Sequence, residues 1–214
     1  MKALAFNGSP RKNWNTATLL NKALEGAASQ GAETEIIHLY DYTYKGCASC
    51  FQCKRDGGRS YGQCGLKDEL TPVLEKVKNA DVLLIGSPIY LGSINGETHS
   101  FFERLIFPYY VYDKERPTLF PKTISTAFIY TMGVDEERMK LMDYGQIFGI
   151  NQMFLERVFG KSEFITANDM TQFDDYAKYV APMFDVSAKA HRRETVFPRD
   201  CERAFELGAR LAQS

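Results

Sequence analysis

Nine residues near the start of the chain, Gly8-Ser9-Pro10-Arg11-Lys12-Asn13-Trp14-Asn15-Thr16, gather two hydroxyls, two amides and two cations into one short polar loop. The loop follows an apolar run, Lys2–Asn7, and opens a helical pattern from about Thr16 to Gln30. A strand, a polar loop and a helix N-terminus together present unpaired backbone N–H groups and the positive end of a macrodipole. That arrangement favours an anion. A terminal phosphate monoester, with nearly two charges and three acceptor oxygens, suits Ser9, Arg11, Lys12, Asn13, Asn15 and Thr16. The loop has no G-x-G-x-x-G for a pyrophosphate and no G-x-x-x-x-G-K-[ST] for a nucleoside triphosphate. It also has no Cys to act as a phosphatase nucleophile.

The second chemical feature is a run of cysteines. Cys47, Cys50 and Cys53 stand at C-x2-C-x2-C, Cys64 follows after ten residues, and Cys201 lies far away. A close triplet of thiols plus a fourth is one way to hold a four-iron cluster. Reduced, metal-free thiols are an equal alternative, and zinc or a redox disulfide a lesser one, because zinc ligands more often come as two spaced pairs. Gly57, Gly58 and Gly62 allow the intervening loop to fold back. Lys54 and Arg55, if close, would lower thiolate pKa values. His38, His99 and His191 are scattered and read as structural or solvated, and no Ser–His–Asp order, H-E-x-x-H or paired carboxylate stands out.

These groups need a scaffold, and the chain supplies alternating strands and helices. Glu33–Leu39, Asp81–Gly86, Thr123–Thr131 and Glu163–Ala167 read as four further strands, Asp81–Gly86 being a continuous apolar run of the fully buried kind. Helices are expected over Glu69–Lys78, capped by Asp68, and over Gly96–Phe107, ended by Pro108. Two more are expected over Asp174–Lys189 and Asp200–Gln213. Residues 42–65 form a Cys-rich loop, and 108–122 and 133–160 read as insertions beside the fourth strand. The order implies an α/β fold: a doubly wound, five-stranded parallel sheet with helices on both faces, in a single domain spanning 1–214.

Composition sets limits. The chain has 214 residues, enough for one sizeable core, and a net charge of −1 gives no general attraction to nucleic acid or anionic membrane. No apolar run reaches membrane-spanning length, and the N-terminal one is strand-sized, so neither a membrane segment nor a signal peptide is expected. A cytoplasmic protein with reduced thiols is the expectation.

In such a sheet, ligands sit outside the carboxyl ends of the strands, where strand order reverses. Beyond the third strand comes Ser87-Pro88-Ile89-Tyr90-Leu91-Gly92, read as a turn with an apolar and aromatic lip; beyond the fourth comes Tyr130-Thr131-Met132-Gly133. A phosphate socket, a flat apolar wall and a glycine-permitted close approach together match flavin mononucleotide (FMN).

GSPRKNWNT after the first strand and GSPIYLG after the third closely resemble the flavodoxin-like NAD(P)H-dependent FMN reductase family, in particular its iron–sulfur flavoprotein branch. The resemblance runs from the first strand through the fourth. It implies a flavodoxin-like fold and FMN reduced by NAD(P)H, with electrons passed to a quinone, nitro compound, flavin, metal ion or protein acceptor. By motif, Ser9, Arg11, Asn15 and Thr16, with the Ala17 backbone N–H, would hold the phosphate. Pro88, Ile89, Tyr90, Leu91 and Gly92 would line the ring, and Thr131, Met132 and Gly133 would close its far side. No side chain is required as a catalyst, since the flavin carries the chemistry. The branch also implies Cys47, Cys50, Cys53 and Cys64 as ligands of a [4Fe–4S] cluster, though the gap before Cys64 is longer than is usual there. Trp14 departs from the small residue usual at its position; it reads either as a cover for the flavin or a neighbouring subunit, or as an exposed loop aromatic. The ring's open face implies a homodimer or homotetramer, with Phe107–Tyr112 as a candidate contact. Two other functions remain open: an electron carrier fed by a ferredoxin-like donor, and a non-catalytic FMN- or redox-sensing module.

Overall fold

The computed structural model describes residues 1–115 and 118–213. Among these residues six strands run β1 (Lys2–Asn7), β2 (Glu33–His38), β3 (Val82–Tyr90), β4 (Ser93–Ile94), β5 (Ile124–Thr131) and β6 (Gly160–Ala167). Seven α-helices in the described residues join or flank them: α1 (Asn15–Ser29), α2 (Leu70–Val77), α3 (Gly96–Ile106), α4 (Glu136–Leu141), α5 (Tyr144–Phe159), α6 (Val186–Thr195) and α7 (Phe197–Leu211). Five strands form the parallel sheet in the order β2-β1-β3-β5-β6, and β4 pairs antiparallel with the end of β3. This is the doubly wound order expected of a flavodoxin-like fold, and its switch point lies between β1 and β3.

Both faces of the sheet are covered, as the continuous apolar strands require. On one face α2, α3 and α5 bury Leu70, Val73, Phe101, Leu105, Phe148 and Leu155 against Leu4, Phe6, Leu83 and Ile85. On the other, α1 and α7 pack Leu19, Leu20, Ala23, Ala204 and Leu207 against Ala3, Ala5, Leu84 and Ile129. Among the described residues no helix is long and apolar enough to cross a membrane.

Three expectations from the sequence need correction. Residues 133–160 are not an insertion: they hold α4 and α5, and α5 is the crossover between β5 and β6. Its buried positions, Tyr144, Phe148, Asn151, Leu155, Val158 and Phe159, follow helical spacing, but Gly145 and Gly149 interrupt the pattern as it reads along the chain. The segment 174–189 is not one helix. Residues 174–185 are irregular apart from a short turn at Tyr176–Lys178, and α6 starts only after Asp185, whose carboxylate caps it by accepting from Ala188 N at 2.9 Å. Finally, Ser87–Tyr90 continues β3 instead of turning. The turn falls at Leu91 and Gly92, both left-handed (φ 50° and 88°), which is the geometry of a two-residue hairpin into β4. The stretch 108–122 is an irregular connection in its described part; Arg116 and Pro117 lie outside the described residues.

Candidate functional site

The sheet register opens a crevice. β1 stays paired with β3 only as far as Asn7 opposite Gly86, while β3 runs on to Tyr90, paired with β5 as far as Pro88 opposite Thr131. Beyond Gly8, whose N–H still bonds Gly86 O at 2.8 Å, the β1–α1 loop swings away. Gly8 has to be small here, because a Cβ would lie 1.8 Å from Thr98 Oγ1.

Two buried asparagines set the loop. Asn7 Oδ1 accepts from Ser9 N at 3.1 Å, a local turn that starts the loop, and its amide nitrogen lies 2.9 Å from His38 Nδ1. Burial first, and then Lys12, push the His38 pKa down, despite the opposing charge of Asp41. Asn95 caps α3 by accepting from Thr98 N at 3.1 Å, while its Nδ2 donates to Gly8 O at 2.7 Å. One side chain thus ties the loop to the start of α3.

Within the loop, the buried Ser9 hydroxyl accepts from Arg11 N at 3.2 Å, so its own proton is left for another acceptor. α1 starts at Asn15 without a side-chain cap and without an acid in its first turn. Its leading amides, Ala17 included, therefore face an electropositive, unclaimed corner. Thr16 Oγ1 lies 2.8 Å from Thr131 Oγ1, both buried, which joins the first loop directly to the end of β5. A phosphate fits this donor set.

The loop's longer side chains are committed elsewhere. Arg11 Nη1 donates to Gln172 O at 2.6 Å, Asn15 Nδ2 to Thr171 O at 2.9 Å and Trp14 Nε1 to Thr171 O at 3.2 Å. Asn15 Oδ1 also accepts from Arg193 at 2.5 Å, and Lys12 pairs with Asp41 at 2.5 Å. Asn13 is exposed. Trp14 is partly buried, with the guanidinium groups of Arg11 and Arg193 5.0 and 5.7 Å from its ring, so it packs on the segment after β6 while part of it still meets solvent.

Next to this corner a cleft of about 420 Å³ opens at the ends of β3, β5 and β6. Ile89, Leu91, Gly92, Met132 and Gly133 line it, whereas Pro88 and Tyr90 sit on the same hairpin outside the lining. Tyr90 is half exposed beside Tyr40, an aromatic after β2 that sequence reasoning passed over. The residues 169–172 span both regions: Asp169 N bonds Val134 O at 2.7 Å and Met170 N bonds Met132 O at 2.9 Å. The buried Lys189 donates to Gly133 O at 2.9 Å and pairs with Asp169.

The cysteine loop folds back as its glycines allow. Gly62 N bonds Cys53 O at 3.0 Å, and Cys47, Cys50, Cys53 and Cys64 all line one small cavity of about 20 Å³ with Arg104 and Phe107. Arg104 is fully buried. It holds Asp68 through two bonds of 2.5 and 2.9 Å, donates to Lys45 O at 3.0 Å, and donates from Nε to Cys64 Sγ at 3.3 Å. Nothing in the sequence pattern signals this arginine. Burial pushes the Cys53 thiol up and outweighs the nearby Lys54 charge, which lowers it as expected; the Lys54 ammonium also caps the carbonyl oxygens of Phe107, Pro108 and Tyr110. Among the described residues, no group of three or more His, Cys, Asp or Glu side chains converges to hold a single metal ion. Four thiols match a four-iron cluster in kind; a cavity with room for about one water does not match its volume.

The profile of the NADPH-dependent FMN reductases matches residues 1–155 of this sequence. The chain belongs to that family. Members of it bind FMN, which agrees with a polar, donor-rich loop near a cleft of mixed apolar and charged lining. This family member is similar to an iron–sulfur flavoprotein of Archaeoglobus fulgidus, 42% identical over 104 residues, or 49% of this chain and 48% of the relative. It is similar also to one of Methanocaldococcus jannaschii, 36% identical over 104 residues, or 49% of this chain and 51% of the relative. The chain thus spans about half the length of the curated relatives it matches. Among solved structures, a NAD(P)H:quinone oxidoreductase from Methanothermobacter marburgensis superposes with a TM-score of 0.71 at 16% identity, covering 99% of this chain and 98% of the other. An FMN-dependent NADH-azoreductase from Bacillus anthracis, solved in complex with FMN, gives 0.65 at 14%, covering 99% of each. At these identities the two neighbours establish the flavodoxin-like fold.

Proposed function

We propose that this chain is an FMN-dependent oxidoreductase that takes hydride from NAD(P)H and passes electrons to a quinone, nitro compound, flavin or protein acceptor. One observation carries the reading: a buried, proton-bearing Ser9 hydroxyl and the uncapped start of α1 lie at the carboxyl edge of the sheet, linked through the Arg11–Gln172 bond to the cleft beyond β3 and β5. Bound FMN would supply the hydride and electron chemistry. Ser9, the Thr16–Thr131 pair and the amides through Ala17 would hold its phosphate, with Arg11 and Lys12 adding positive potential at the rim. Ile89, Leu91, Gly92, Met132 and Gly133 would enclose the ring, Pro88 and Tyr90 would flank it, and Lys189 would hold the Gly133 loop in place.

Ser9→Ala tests the phosphate contact. The variant should bind FMN about tenfold more weakly, about 1.4 kcal/mol for one hydrogen bond to a charged group, and bind riboflavin, which lacks the phosphate, as the parent does. Quenching of Trp14, the single tryptophan, reads both affinities. Equal FMN binding by parent and variant would take Ser9 out of the site.

The similarity to iron–sulfur flavoproteins supports Cys47, Cys50, Cys53 and Cys64 as ligands of a [4Fe–4S] cluster, for which the present cavity would have to widen at the exposed Cys47 and Cys50. The working particle is a homodimer. A largely apolar groove of about 500 Å³ between α3 and α5, lined by Phe102, Ile106, Phe107, Tyr110, the exposed Ile150 and Phe154, supports that reading. Light scattering should give twice the 24.3 kDa chain mass. A monomer that retains flavin tightly would refute it.

A further inference from the structure

Five charged side chains line the cleft beside the ring-lining residues: Asp135, Arg138, Asp169, Asp185 and Lys189. Four are already satisfied. Asp169 pairs with Lys189, Asp135 accepts from Arg138 N at 2.7 Å at the start of α4, and Asp185 accepts from Ala188 N at 2.9 Å at the start of α6. Among the described residues, the exposed guanidinium of Arg138, in the last turn of α4, is the one charge in this cleft with neither an acid partner nor a hydrogen bond at a helix start. Beside it the wall is apolar but not buried: Met142 is 50% and Met183 72% exposed, with Phe184 between the strap and α6. Thioethers and an aromatic left open to water at a cleft mouth, next to an unpaired planar cation, suit a flat base that carries a phosphate.

We propose that Arg138 is the phosphate anchor for the nicotinamide dinucleotide, with Met142, Met183 and Phe184 as the platform for its adenine end. The proposal rests on NAD(P)H being the hydride donor. Arg138 does not touch the reacting atoms; it sets which donor binds and how tightly. Two phosphate groups could make the contact, the 2′-phosphate of NADPH or the pyrophosphate common to both dinucleotides, and the donors themselves separate them.

The test uses FMN-loaded protein and Arg138→Gln, with Arg138→Lys as a charge-retaining variant. Steady-state KM is measured for NADPH, for NADH and for 1-benzyl-1,4-dihydronicotinamide, which has no phosphate. Binding of 2′,5′-ADP and of ADP is measured separately by calorimetry. Arg138→Gln should raise the dinucleotide KM about tenfold relative to that of the phosphate-free donor, with Arg138→Lys recovering part of the loss, and weaken binding of the matching adenine nucleotide. A rise for NADPH alone, with weakened 2′,5′-ADP, identifies the 2′-phosphate; a rise for both dinucleotides identifies the pyrophosphate. A loss shared equally with the phosphate-free donor, or no change with any donor, overturns the assignment. A parent protein whose FMN is reduced by none of the three overturns the nicotinamide reading, and this role with it.

Discussion

Asp68→Ala should lower the stability of the protein by about 3–5 kcal/mol, because it leaves the Arg104 guanidinium buried without a counter-charge. Asp68 is 24% exposed while Arg104 is 0% exposed, so the penalty falls on the arginine, which water cannot reach. Urea unfolding monitored by circular dichroism measures it. The double variant Asp68→Ala/Arg104→Met should recover part of the loss, since no orphan charge then remains. The pair also has a pH signature. Burial alone would raise the Asp68 pKa, but the hydrogen bonds and charge of Arg104 outweigh it and hold the carboxyl below its ordinary value. A depressed folded-state pKa contributes stability above the ordinary carboxylate pKa, and that stability fades as pH falls through the folded value. The parent should therefore lose stability below about pH 4 more steeply than Asp68→Ala does. Because Arg104 also donates to Cys64, the variant should show faster thiol alkylation across the cysteine cavity. An unfolding midpoint equal to the parent's would show that the pair is dispensable.

Asn95→Ala is expected to cost about 2–4 kcal/mol and to weaken FMN binding at a residue that is not itself in the proposed pocket. It removes the cap of α3, worth about 1 kcal/mol, and strands the buried Gly8 carbonyl, which adds about 1–3 kcal/mol. The same carbonyl fixes where the β1–α1 loop leaves the sheet. With it released, Ser9 and the start of α1 lose their relative position, and the phosphate loses more than the ring does. FMN affinity should accordingly fall by more than riboflavin affinity. Thermal unfolding with and without FMN, together with the two affinities, checks this. An equal loss for both ligands would mean that Asn95 supports the fold without setting the loop.

Particular residues show how far the sequence could be read. The apolar run at Asp81–Gly86 and the polar loop at Gly8–Thr16 declare themselves locally, one by hydrophobicity and the other by composition next to a strand and a helix. The Asn95 cap was also within reach, since Asn followed by Gly96-Glu97-Thr98 at the head of an apolar pattern is a helix-start signal. Arg104 was not. Its partners, Asp68, Lys45 and Cys64, come from a different part of the chain, and nothing in the spacing of charges says that a helical arginine will be buried. The helix expected over 174–189 failed because the aromatic residues Phe173, Tyr176, Tyr179 and Phe184 pack on one another in an irregular strap, which a local propensity count does not see. Trp14 was ambiguous until the Thr171 carbonyl and Arg193, more than 150 positions away, came to meet it.

The amino-acid order on its own determined the alternation of strand and helix, the strand ends at which a ligand would sit, and a polar, donor-rich loop at the first helix start. These depend on backbone geometry and on neighbours close in the chain. Only the folded chain decided which long side chains of that loop remain free for a ligand, that the four cysteines share one cavity, and that Arg138 lines a cleft whose acids are paired elsewhere. Those outcomes depend on pairings between distant segments, where burial removes water and a charge must take whichever partner the packing brings.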